Sequence, residues 1–389
     1  MSNATRWVVR LLLAFLAAMA LVGWLKREEL ARLWAVQTLF RPDRIVANFS
    51  TMNDAFLWRP VSRGDGPVSA LPRGAPLVLP PGTVEWMTDR AVTSLIVVQD
   101  GHIILEDYRL GTGAEDLRIS WSMAKSFLSA LMGLLVEDGT IDSLDDPVIL
   151  YAPELAGSAY DDASIRNVLQ MSSGVAFNED YLDYNSDINR MGRVLALGGS
   201  MDGFASGLTA QAGPPGETWR YVSIDTHVLG MVIRGATGRD IPDLLADRII
   251  APLGLEAEPY YLTDGEGVAF VLGGLNMRSR DYARFGLMVE RNGRVNGHQI
   301  VPQDWIRTST RASAPTAAGE MGYGFQWWIP RDARPGEFLA RGVYGQYIYI
   351  DQTHQVVIVV TAADLGFTQA GRHHENVEML RRIARASRS

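Results

Sequence analysis

Strand-forming residues gather toward the two ends of this 389-residue chain, and helix-forming residues fill the middle. Leu95-Ile96-Val97-Val98 is an apolar β-branched run, Asp100-Gly101 a turn dipeptide, and Ile103 to Tyr108 a returning strand, so residues 93–110 predict a hairpin. Strand signals return only at 324–329, 346–350 and 355–360. Between them, Phe127, Leu128, Leu131, Leu134 and Leu135 recur at helical spacing within Ser122 to Glu137, and Asp138-Gly139 ends that helix. From Asp145 to about Pro259 the pattern is mostly helical, clearest at 165–171, 227–237 and 241–250. Helical patterning resumes at 279–291, and a basic helix closes the chain from about His374 to Arg385. Strands from both chain ends must pair across everything between them. The expected fold is α/β, of the α+β type: a central antiparallel sheet flanked by helices, with an inserted all-α subdomain at about 145–260.

The N-terminus carries a different signal. Arg6 and Arg10 precede Leu11 to Leu25, fifteen residues without a charge, and Lys26, Arg27, Glu28 and Glu29 follow. Fifteen helical residues span about 22 Å, short of the roughly 30 Å hydrocarbon core. Counting from Trp7, with Arg10 snorkelling, brings the run close to sufficient. Ala18-Met19-Ala20 resembles a signal-peptide cleavage site. An uncleaved anchor is the preferred reading, because the apolar run continues past Ala20 and an amphipathic helix, Lys26 to Phe40, follows directly. In either case the positive end stays cytoplasmic and the rest is exported, to face the periplasm if anchored. A buried core helix fits less well with a charge cluster before the run and none inside it. Residues 41–84, with six prolines between Pro60 and Pro81, predict an extended arm. The remaining 85–385 form the main domain.

Composition removes several classes. With no cysteine, there is no disulfide scaffold, iron–sulfur cluster or thiol nucleophile. The formal charge of -8 argues against a general nucleic-acid partner. The six histidines are scattered. No G-x-S-x-G, H-E-x-x-H or G-x-x-x-x-G-K-[ST] pattern occurs, so no metal or nucleotide is suggested.

Ser122-Met123-Ala124-Lys125 opens a helix. Residues three apart share a helix face, which sets the Ser122 hydroxyl beside the Lys125 amine. A serine hydroxyl is a weak nucleophile until a neighbour takes its proton, and a lysine whose pKa is lowered by burial can do that. The helix N-terminus adds backbone N–H groups for a developing oxyanion. An S-x-x-K match by itself arises easily by chance as an exposed surface pair.

The surroundings narrow the choice. Ile141-Asp142-Ser143-Leu144-Asp145-Asp146-Pro147-Val148, Leu169-Gln170-Met171-Ser172-Ser173-Gly174, Pro215-Gly216-Glu217, Tyr221-Val222-Ser223 and Gly342-Val343-Tyr344-Gly345-Gln346 follow in order. Together with the S-x-x-K pair they resemble the serine β-lactamase and penicillin-binding-protein superfamily, in its class C-like branch, over roughly 85–385. Tyr221-Val222-Ser223 departs from the Tyr-x-Asn of class C β-lactamases. With Asn178-Glu179-Asp180-Tyr181 and the Gly345-Gln346 strand entry, it is similar to 6-aminohexanoate-dimer hydrolases and related esterases. The resemblance implies a serine hydrolase that cleaves small esters or short linear amides through an acyl-enzyme, without a cofactor or metal. Ser122 would be the nucleophile, Lys125 and Tyr221 the proton-handling pair, and Ser223 a residue that orients Lys125 or passes a proton to the leaving group. The amides of Ser122 and Val343, beside Gly342, would bind the oxyanion. Tyr181 and Asn276 are candidate substrate contacts. Which of Lys125 and Tyr221 is the base stays open.

Ala340-Arg341-Gly342 stands where the family usually has Lys-Thr-Gly or His-x-Gly. Arg341, one residue out of phase on an alternating strand, is not expected to replace the missing cation. This lowers the alternative activity, a class C-type β-lactamase or D-Ala-D-Ala carboxypeptidase. Trp121, Trp327 and Trp328 line the cleft or pack in the core, the core being favoured. A catalytically silent, membrane-tethered binding protein on the same fold is the reading from outside enzymology.

Overall fold

The computed structural model describes residues 3–388. Helix α1, Asn3–Leu25, is followed after Lys26 by α2, Arg27–Thr38. Thr5–Leu25 within α1 is long and apolar enough to cross a membrane, and none of it is buried by the rest of the protein. The segment read as an extended arm divides. Its first part forms two one-turn helices, Ile45–Asn48 and Met52–Ala55. Ile45, Phe49, Met52 and Val61 are buried in the main core. Ile45, Phe49 and Met52, at helical spacing, have found a hydrophobic surface and lie down on it. From residue 61 to Gly82 the chain is irregular, as its prolines require.

The hairpin forms as expected: β1, Val92–Gln99, and β2, His102–Tyr108, joined by Asp100 and Gly101, both with positive φ. Helix α3 runs Ala124–Glu137. Between residues 145 and 259 the regular structure is helical, and includes α4, Asp187–Leu197, and α5, Ser223–Thr237. Helix α6, Ser279–Glu290, precedes β3, Glu337–Gly342, β4, Gln346–Asp351, and β5, Val356–Ala362; α7, Arg372–Ala386, ends the chain. The main sheet is antiparallel throughout, in the order β2-β1-β5-β4-β3, extended by the short strands Trp328–Ile329 and Gly322–Tyr323. The two ends of the chain therefore meet where β1 pairs with β5, Val97 opposite Ile358.

The middle strands are apolar at nearly every position because both faces are covered. Leu95, Val97, Ile358 and Val360 pack with Val377, Leu380 and Ile383 of α7. Ile96, Val98, Val357 and Val359 point the other way, into the larger core that holds α3, α5 and α6. The expected strand at 324–329 is shortened to Trp328–Ile329. Gln326 takes φ 63°, turning the chain, and its amide side chain donates to Leu169 O at 2.9 Å.

A second, smaller sheet positions the site. Its strands, in order, are Trp58–Pro60, Tyr260–Leu262, Leu275–Met277 and Arg118–Ile119. The last of these leads in three residues to Ser122.

Candidate active site

Ser122 lies in a single 3-10 turn, Trp121–Met123, that runs into α3. Trp121 holds φ 43°, a left-handed conformation costly for a tryptophan. Ser120 N–H, bonded to Leu275 O at 2.8 Å, anchors the turn to the small sheet. On the opposite side, β3 ends at Gly342. A Cβ added there would stand 2.7 Å from Ser120 O and 3.1 Å from Ser122 N, so only glycine lets the strand approach this closely. The next residues, Val343 and Tyr344, line one cavity together with Ser122. Tyr344 is also left-handed, at φ 59°. The rings of Trp121 and Tyr344 are held by Phe40 and Phe49: Phe40 stacks on Tyr344 at 5.0 Å and Phe49 meets Trp121 at 5.4 Å. The strained backbone on either side of residues 122 and 343 is thus clamped by aromatic side chains from the N-terminal segment.

Lys125, one turn along on α3, is fully buried, and its Nζ donates to Leu272 O at 2.9 Å. Burial pulls its pKa down to about 7, against the charges of Glu179 and Asp225, which raise it. Its Nζ lies 5.6 Å from the centre of the Tyr221 ring. The hydroxyls of Ser122 and Ser223 face Tyr221 and favour its anion. Burial nevertheless pushes the phenol well above its ordinary range, with the Glu179 charge adding to the rise. The lysine is therefore biased toward its neutral form and the tyrosine toward its protonated form. Asp225, buried and held by Tyr160 at 2.8 Å and Ser173 at 2.9 Å, is pushed up to about 8 by burial.

The arrangement joins Ser122, Lys125, Tyr221 and Ser223, and sets Gly342 and Val343 against them. Tyr181 lines the same cavity, and its ring meets Phe367 edge-on at 5.5 Å. Asn276 lies elsewhere. It is fully buried in the small sheet, donates to Gly274 O at 2.9 Å and does not line the cavity. Of the tryptophans, Trp121 lines the cavity, and Trp327 is core, packed on Phe285 and Phe338. Trp328 stacks on Tyr221 at 5.2 Å. Arg341 sits over Trp328, 5.1 Å from that ring, and is not part of the cavity wall, although its charge acts on Tyr221.

Glu179 is the residue that the sequence reading passed over. Its Oε1 accepts from Ser223 Oγ at 2.5 Å and from Tyr181 Oη at 2.8 Å, and its Oε2 accepts from Ser223 N at 3.0 Å. It ties together two candidate site residues and lies electrostatically close to Lys125 and Tyr221. Burial raises its own pKa. Its place in Asn178-Glu179-Asp180-Tyr181, the segment that resembled amide hydrolases, was the available signal.

Partly exposed Ser122 and Tyr221 and fully buried Lys125 come together between the main sheet and the helical subdomain. The Beta-lactamase family model matches residues 84–380, and the chain belongs to that family. It is 29% identical over 293 residues to the 6-aminohexanoate-dimer hydrolase of Paenarthrobacter ureafaciens, a match that covers 72% of this chain and 74% of that one. A Bacillus anthracis protein provisionally named as a 6-aminohexanoate-dimer hydrolase has the same fold. Its TM-score is 0.79 at 24% identity, with 90% of this chain and 96% of the other covered. EstCE1, a hydrolase with promiscuous acyltransferase activity, aligns at TM-score 0.59 and 16% identity, covering 78% and 96%. The protein is a hydrolase of the β-lactamase fold.

Proposed function

We propose that the protein cleaves small esters or short linear amides through a Ser122 acyl-enzyme. The observation that carries this reading is a buried Lys125, its pKa brought to about 7, with its Nζ 5.6 Å from the centre of the Tyr221 ring and one helical turn from Ser122. Neutral Lys125 is the proton sink, and the Tyr221 phenol relays: it takes the Ser122 proton as it gives its own to Lys125. The Ser122 oxygen attacks the substrate carbonyl, and the resulting oxyanion is met by the amides of Ser122 and Val343. Collapse expels the alcohol or amine, protonated back along the same relay or through Ser223. Water then enters, gives its proton to the relay and releases the acid. Glu179, bonded to both Ser223 and Tyr181, is a positioning residue.

Ester and uncharged-amide substrates are favoured over β-lactams and cell-wall peptides, because Ala340 stands where the family usually has a cation and the Arg341 guanidinium is laid over the Trp328 ring. Helix α1 supports an anchor in the inner membrane, with the catalytic body in the periplasm. The test is turnover of p-nitrophenyl acetate and butyrate with labelling by a fluorophosphonate probe. Both are expected in the wild type and neither in Ser122→Ala. Unchanged turnover in Ser122→Ala would sink the assignment.

A further inference from the structure

The cavity over Ser122 is walled on one side by the helix that leaves the apolar N-terminal span. The helix continues across Lys26, whose N–H bonds Val22 O at 2.9 Å and whose carbonyl accepts from Leu30 N at 2.9 Å. Leu33, Val36, Leu39 and Phe40, from α2 and the two residues after it, line the cavity that also contains Ser122. Leu33 is eight residues past Leu25, so helix geometry limits its distance from the end of α1 to about 12 Å. The headgroup layer is about 5–8 Å deep on each side, so Leu33 stands at most a few ångströms beyond its outer edge. Even if the chain were cut after Ala20, this wall would remain.

The opposite wall and the rim are apolar as well. Helix α4 contributes Ile188, Met191 and Leu195 to the 490 Å³ space. At its mouth Leu182 is 80% exposed, Tyr184 71% and Leu197 53%. Arg193 lies over the Tyr184 ring at 4.1 Å and lines the same mouth. On the outer side of α2, Leu30 and Trp34 are more than half exposed. Exposed aliphatic side chains with Trp, Tyr and Arg among them are the composition of a surface that sits at a membrane interface, with the arginine available to lipid phosphates. A substrate drawn from bulk water would have no use for such a rim.

We propose that the cavity over Ser122 receives the acyl chain of an amphiphilic ester resident in the bilayer, which enters between α2 and α4. This rests on the serine-hydrolase reading and adds the substrate class and the route. The chemistry is hydrolysis: the ester C–O bond breaks as Ser122 Oγ bonds to the acyl carbon, and the alcohol leaves with a proton. Water then cleaves the acyl-enzyme to a fatty acid and free Ser122.

The experiment uses the full chain in vesicles of phosphatidylglycerol and phosphatidylcholine. With monomeric p-nitrophenyl esters from C2 to C8, kcat/KM is expected to rise by up to about fourfold per methylene, as burial of each CH2 permits. The double variant Leu182→Asp/Leu197→Asp is expected to flatten that rise. A p-nitrophenyl palmitate held in the same vesicles as the enzyme should turn over at least tenfold faster than one held in separate vesicles. A flat chain-length profile with C2 turnover intact would overturn the acyl-chain pocket while leaving the hydrolase reading standing. Equal rates from shared and separate vesicles would overturn the bilayer route. No turnover of any ester, with no fluorophosphonate label, would overturn the hydrolase reading itself.

Discussion

Among the described residues Lys125 has no carboxylate bonded to it; its Nζ donates to the Leu272 carbonyl and faces the Tyr221 ring. Three titratable groups act on it or share its pocket: Glu179, Asp225 and Tyr221. The two acids favour its ammonium and burial opposes it, with burial prevailing. A catalytic lysine that must be neutral gives a kcat/KM profile that falls on the acid side around its pKa of about 7. Glu179→Gln removes a charge that raises that pKa, so the acid limb should move to lower pH by about one unit, the scale of a single nearby charge. Rates toward p-nitrophenyl butyrate from pH 5 to 9 give the answer. A limb that stays in place would show that Lys125 is not the titrating base. Because these groups titrate together, the limb belongs to the group and not to one residue. At this scale the sequence was readable where chemistry imposes a spacing, as between Ser122 and Lys125. It was not readable for Glu179, a loop carboxylate whose partners lie 44 residues away and two residues away. For Asn276 a turn-like sequence, Gly273-Gly274-Leu275-Asn276, concealed a short buried strand.

Helix α3 carries both Ser122's turn and Lys125, and its position decides where both point. It is buried along nearly its whole length, so each face has a neighbour. Gly133 is where the neighbour comes closest: a Cβ there would stand 2.3 Å from Trp305 Cγ, and Trp305 is itself packed on Phe325 at 5.5 Å. Alanine in place of glycine favours a helix by about 1 kcal/mol. Overpacking against a confined indole costs about 1–3 kcal/mol, and at this separation the upper part of that range applies. Gly133→Ala should therefore lower stability by about 1–2 kcal/mol, read as a lower urea midpoint with an unchanged slope. An unchanged or higher midpoint would mean that the indole has room to move. The helices and the β1–β2 hairpin followed the periodicity of their residues because each buries a stripe or two full faces. The two-residue strand at 322–323 left no such pattern, being too short to repeat, and the strand signal at 324–329 overshot the two residues, Trp328–Ile329, that pair.

For the whole molecule, the N-terminal segment is structural. A cut near residue 41, at the apparent linker, looks natural from Pro42 and the prolines that follow. In the folded protein Leu39 is buried and Phe40 stacks on Tyr344 next to the expected oxyanion donors. Farther on, Phe49 is fully buried, and Trp58–Pro60 pairs with Tyr260–Leu262 as an edge of the small sheet, the sheet whose far strand leads to Ser122. Apolar residues inside a proline-rich context do not announce that they are core, because the surface receiving them is assembled from distant parts of the chain. Two truncations separate the possibilities. A chain beginning at Arg27 loses only α1, which touches little besides α2, and should melt within a few degrees of the full chain and retain short-ester turnover. A chain beginning at residue 62 loses the Phe49 anchor, about 3–5 kcal/mol by the usual cost of deleting a buried phenylalanine. It also loses the edge strand and the ring clamp on Trp121 and Tyr344. It should melt at least about 5 °C lower or fail to fold, since 1 kcal/mol shifts a domain of this size by about 1.5 °C. Thermal melts followed by circular dichroism, with butyrate-ester rates on the same samples, distinguish the two. Equal melting temperatures for both truncations would show that the β-lactamase-fold domain stands without the N-terminal segment, and that Phe40 and Phe49 only cover it.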